Sequence, residues 1–120
     1  MPIGTILVVD DEPNIRETVA LALQDEGYHV LQATDGDALE IARVEQPDML
    51  LLDVNMPGMD GIEVSKRMRH SSVTAHIPII GMSAAVARGL RDGMIADDWL
   101  HKPFDLDALY AVVARWARAA

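Results

Sequence analysis

Four short stretches of the chain place chemically useful side chains directly after runs of apolar residues. "ILVVDDE" ends in Asp10, Asp11 and Glu12, "MLLLD" in Asp53, "IIGMS" in Ser83 and "WLHK" in Lys102. Carboxylates gathered in one place repel one another and are pushed toward protonation unless a cation neutralises them. Mg²⁺ suits such a set, because it is a hard ion that takes oxygen ligands, is usually held by one or two carboxylates and keeps waters that a phosphate oxygen can replace. An aspartate beside it could act as a nucleophile toward an incoming phosphoryl group. The protein would then mainly supply position and opposite charge, here from the metal and Lys102. The product of that chemistry is an aspartyl phosphate.

Side chains so distant in sequence meet only if the intervening segments fold back regularly, and the hydrophobic pattern predicts that they do. Five apolar strings alternate with stretches of helical period. The strings are Thr5 to Val9, His29 to Ala33, Met49 to Leu52, Ile77 to Met82 and Asp98 to Leu100. Three are nearly continuous in Ile, Leu, Val and Met, as expected of parallel strands covered on both faces. The spacing predicts a first helix opening near Pro13 and closing at Gly27, with Ile15, Val19 and Leu23 inward. A second runs from about Asp37 to Glu45 and stops before Pro47. A third starts near Gly61 with Ile62, Val64 and Met68 on its inward face. The last follows Asp105 as a cap, with Leu106, Leu109, Val112 and Val113 inward. In an open parallel sheet, ligands bind in the crevice outside the carboxyl ends of the strands. The acids, the hydroxyl and the ammonium all fall at such ends.

Composition narrows the function classes. The chain has 120 residues, half of them hydrophobic, and no apolar run approaches the roughly 20 residues that span a bilayer. That length is one ordinary domain with one proper core. There is no cysteine and no basic segment leading into an apolar one at the start, so a cytoplasmic location is the expectation. A net charge of −9 repels nucleic acid phosphates, and direct binding to DNA is not expected. The four histidines lack metal-ligand spacing, and the seven methionines read as core filler.

The signatures "VVDDE", "LLLDVNMPGMDG", "GMSA" and "DDWLHKPF", in this order and over residues 5 to 118, resemble the receiver domain of two-component response regulators. The resemblance implies a single receiver domain over residues 1 to 120. Its fold would be α/β and flavodoxin-like, a doubly wound five-stranded parallel sheet of order 2-1-3-4-5 with helices on both faces. It implies that Asp53 is the phosphoacceptor for a histidine kinase or phosphotransfer protein. Asp11, Asp53 and the main-chain carbonyl of Asn55 would bind Mg²⁺ directly and Asp10 through water, with Mn²⁺ able to substitute. Ser83 would be the hydroxyl that moves onto the phosphate, and Lys102 would pair with a phosphate oxygen and be joined to Pro103 by a cis peptide. Trp99 takes the place of the tyrosine or phenylalanine that swings inward on activation. The family is a phosphoacceptor switch, not a turnover enzyme.

Each residue alone has a plainer reading: Asp10 and Asp11 as a turn and helix cap, Asp53 as a turn residue, Ser83 as a cap, Lys102 as a surface cation. Other functions with similar parts are also open to comparison. A phosphatase of the haloacid dehalogenase type needs a general acid two residues after its nucleophile, where this chain has the amide of Asn55. A flavin-binding module needs hydroxyls and backbone amides after the first strand, where this chain has Asp10, Asp11 and Glu12. A receiver-like interaction module without phosphorylation is the remaining alternative. Between Ser83 and Lys102 the segment is shorter than the family's usual spacing and carries Gly89 and Gly93, so a short fourth helix is expected. Residues 84 to 98 are accordingly expected to be mobile without phosphate and ordered with it. A downstream partner or a second copy would bind through the face of residues 84 to 102. The chain is read as either a complete single-domain regulator or part of a larger protein such as a hybrid kinase.

Overall fold

The structure, a computed structural model, describes residues 4–53, 61–84 and 96–119. The five apolar strings form strands β1 (Thr5–Val9), β2 (His29–Ala33), β3 (Met49–Asp53), β4 (Ile79–Ala84) and β5 (Asp98–Lys102). Helices α1 (Pro13–Asp25), α2 (Asp35–Glu45), α3 (Gly61–His70) and α4 (Leu106–Ala119) lie between and after them. All strand pairs are parallel, in the order β2-β1-β3-β4-β5. Strand alternation divides the core into two layers. Leu7, Val9, Leu50, Leu52 and Ile79 pack with Val64 and Met68 of α3 and Ala38 and Ala42 of α2. Ile6, Val8, Met49, Leu51, Ile80 and Met82 pack with Val19 and Leu23 of α1 and Leu109, Val112 and Val113 of α4.

Local chemistry sets the helix ends. α1 begins with Pro13 at its first position and ends at Gly27, whose φ of 98° closes the helix. There Gly27 N–H donates to Gln24 O at 3.0 Å and Tyr28 N–H to Leu23 O at 3.1 Å, the paired bonds of a Schellman ending. Asp105 caps α4 by accepting the Ala108 N–H at 2.8 Å.

Several boundaries differ from the sequence reading: β3 runs on to Asp53 and β4 to Ala84. β4 starts two residues after Ile77, because the turn before it ends in Pro78, which has no N–H to give to a ladder. α2 starts at Asp35, ahead of Asp37, and β5 continues past Leu100 to Lys102. Leu106, expected inward, is 47% exposed. It is the first residue of α4. Asn55, the glycines Gly89 and Gly93 and the expected short helix lie outside the described residues. Among the described residues no helix is long and apolar enough to cross a membrane.

Candidate functional site

Three of the candidate side chains meet at the carboxyl edge of the sheet. Counting every second residue from Ile6 and Val8 reaches Asp10, from Met49 and Leu51 reaches Asp53, and from Leu100 reaches Lys102, so all three project from the face covered by α1 and α4. Lys102 Nζ donates to Asp53 Oδ1 at 3.0 Å and to Asp10 Oδ2 at 3.2 Å. Both carboxylates are buried, Asp10 to 1% exposure and Asp53 to 6%. Burial is the largest single influence on the Lys102 ammonium and works to lower its pKa. The hydrogen bond and charge of Asp53, then the charge and hydrogen bond of Asp10, outweigh it and hold the group above the ordinary lysine range. The lysine is therefore fully charged at neutral pH, as two buried anions require. The Lys102–Pro103 peptide is cis, as the resemblance implied.

The β1–α1 turn is held at several points. Asp10 Oδ1 accepts the Glu12 N–H at 2.9 Å, the Asp10 N–H donates to Ala33 O at 3.3 Å, and the Asp10 carbonyl accepts Arg16 Nη1 at 2.8 Å. Arg16 also donates from Nε to Gln32 Oε1 at 3.3 Å, tying α1 to β2. This role of Arg16 was not apparent in the sequence, where it reads as an ordinary helix cation.

Two further candidates are polar atoms in want of partners. Asp11 Oδ1 and Ser83 Oγ are buried, and neither has a hydrogen-bond partner among the described residues. Burying such atoms unsatisfied costs about 1–3 kcal/mol each, so they mark a place built for something else. Ser83 follows Met82, the register partner of Asp53, and alternation puts it on the other face of the sheet, at the same edge. The donors present are all carboxylate oxygens, and among the described residues no three Asp, Glu, His or Cys side chains close into a metal cage. Hard carboxylate oxygens of this kind suit Mg²⁺, which uses few protein ligands and retains water. His29, His70, His76 and His101 are exposed, in keeping with surface roles.

A family model described as the response regulator receiver domain matches residues 6–114. The chain belongs to the response regulator receiver family. This receiver is 40% identical over 114 residues to the phosphate regulon transcriptional regulatory protein PhoB of Pseudomonas aeruginosa, a match covering 89% of the chain and 48% of that protein. It thus spans about half the length of the transcriptional regulators it matches. A response regulator structure from Chloroflexus aurantiacus superimposes on the receiver with a TM-score of 0.89 at 33% identity, covering 98% of this chain and 99% of that one. The receiver domain of sensor histidine kinase PA1611 of P. aeruginosa, solved with a magnesium ion in its active-site cleft, gives 0.89 at 28% identity over 96% and 98% of the two chains. The fold expected from the resemblance, and the place of the chain in two-component phosphorelay, are thereby established.

Proposed function

We propose that residues 1–120 act as one receiver in which Asp53 accepts a phosphoryl group from a histidine kinase or phosphotransfer protein. The observation that carries this is the pair of buried carboxylates bridged by Lys102 at the sheet edge. A carboxylate oxygen of Asp53 attacks phosphorus. The new P–O bond forms as the bond from phosphorus to the donor nitrogen breaks, and the electron pair leaves with the donor. Lys102, already beside Asp53, moves its ammonium onto an oxygen of the transferred group. Ser83, whose buried hydroxyl has no partner among the described residues, closes on another.

Asp11 and Asp53, with the main-chain carbonyl of Asn55, would hold Mg²⁺ or Mn²⁺, and Asp10 would reach it through water. When bound, the ion supplies positive charge against the oxygens of the transferring group. The Asp11 oxygen, without a partner among the described residues, and the magnesium in the PA1611 receiver support this assignment. The amide of Asn55 stands where a phosphatase needs a general acid, which supports a phosphoacceptor over a turnover enzyme. The output partner, a downstream protein or a second copy, would use the 84–102 face, whose described residues include edge strand β5. The acidic balance supports a domain that does not itself contact nucleic acid.

Intact mass after incubation with acetyl phosphate and Mg²⁺ tests the reading. The wild-type chain gains one phosphoryl mass, and Asp53→Asn gains none. An equal gain in Asp53→Asn would place the acceptor elsewhere.

A further inference from the structure

Gly81 stands inside β4, where a residue without a side chain weakens a strand unless another group needs the space. Its register partner on β5 is Trp99, and two residues further along Ser83 pairs with His101. Alternation puts Gly81, Ser83 and Trp99 on the same face. The partly buried indole packs there against the core layer of Leu7, Leu50, Leu52 and Ile79. A Cβ on residue 81 would lie 2.5 Å from Trp99 Cζ3, 2.7 Å from Cε3 and 3.0 Å from Cη2. The outer ring of the indole fills the volume that a side chain at position 81 would take.

We propose that Gly81 is a positioning residue that seats the Trp99 indole over β4 beside Ser83, so that the ring stays in place on phosphorylation and Ser83 carries the local movement. An outward swing would uncover the glycine backbone and leave a ring-sized hole, losing the packing contacts of a large aromatic. No side chain at position 81 is present to fill that hole. Ser83 is the opposite case: its buried hydroxyl has an interaction still to make. Where the family resemblance implies a swinging aromatic, this pair of very small and very large residues makes a fixed wall. The second half of the inference rests on Asp53 being the phosphoacceptor.

Thermal midpoints of wild type, Gly81→Ala, Trp99→Ala and the double variant test the seat. With Trp99 present, the added methyl strikes the ring and lowers the midpoint. With Trp99→Ala, the same methyl partly fills the space left and raises it. A change of the same sign in both backgrounds would overturn the seat. The chain has two tryptophans, so Trp116→Phe leaves Trp99 as the one fluorescent indole. Its acrylamide quenching should be equal with and without beryllofluoride and Mg²⁺. Engagement of Asp53 is read separately, as a shift of the Ser83 amide signal in NMR that is absent in Asp53→Asn. Engagement accompanied by a change in quenching would overturn the fixed wall. Lack of engagement would sink the phosphoacceptor reading and this second half together, while the midpoints still decide the seat.

Discussion

Lys102 donates to both the Asp10 and the Asp53 carboxylates, so its removal takes away the cation that two buried acids share. Lys102→Met should destabilise the chain by about 2–3 kcal/mol at neutral pH, less than the full cost of breaking a buried pair because solvent reaches the lysine. Urea unfolding measures this. Adding Asp53→Asn to Lys102→Met should recover part of the loss, since one of the two charges is gone. A purely additive double variant would show that the carboxylates do not repel. Asp11 should behave in the opposite sense. Its buried Oδ1 has no partner among the described residues, so Asp11→Ala without metal should leave stability unchanged or raise it by about 1 kcal/mol. The same variant should lose the stabilisation that Mg²⁺ confers on the wild type, read as the shift of the thermal midpoint on adding the ion.

At the scale of elements, Asp98 fastens α4 to β5. Its Oδ2 accepts Trp116 Nε1 at 2.9 Å and Arg115 Nη1 at 2.5 Å, and its Oδ1 accepts the Trp99 N–H at 2.8 Å. Burial, the largest influence, works to raise the Asp98 pKa. The Trp116 hydrogen bond, the Trp99 amide and the Arg115 guanidinium together overcome it and hold the carboxyl below its ordinary value. A lowered carboxylate pKa adds stability that is present above the unfolded value, near 3.9, and is lost as pH falls through the folded one. Asp98→Ala should therefore cost about 1–3 kcal/mol at neutral pH. Denaturation series of the two proteins should converge as the pH falls below about 4. A gap that persists undiminished in acid would show that packing, not charge, holds the helix.

For the whole molecule, the site joins the ends of four strands, so binding there should stabilise the entire fold. Mg²⁺ should raise the thermal midpoint in proportion to RT ln(1 + [Mg²⁺]/Kd), and chelation with EDTA should both reverse that rise and abolish labelling by acetyl phosphate. Labelling that survives EDTA would remove the metal from the reaction. The parallel order also accounts for how much of this site was legible beforehand. A strand buried on both faces must be apolar along its length, so the first polar residue after it marks a tip. Asp10, Asp53 and Ser83 were found by that rule. Arg16 was not, because a guanidinium that reaches a main-chain carbonyl leaves no pattern in the residue types around it.

Periodicity and turn chemistry by themselves determined the five strands, the helices at Pro13, Gly61 and Asp105, and the residues at the sheet edge, because each depends on a few neighbouring positions. The pairing of Lys102 with an aspartate 92 positions away was decided only by the tertiary structure, which sets the register of β5 against β4 and β3. The end of α2 at Glu45 was legible from Pro47, but the way it closes was not: Gln46 adopts a φ of 48° without being glycine and donates from its side-chain amide to Ala42 O, Arg43 O and Val73 O. Leu106 joins the inward stripe by spacing but is exposed at the first position of α4. Gly81 and Trp99 are unremarkable apart and make sense only as a contact. Local patterns follow from backbone geometry, which is shared by all such strands and helices. Side-chain contacts across the fold depend on which elements become neighbours and on the space each leaves the other, and that is settled only when the layers pack.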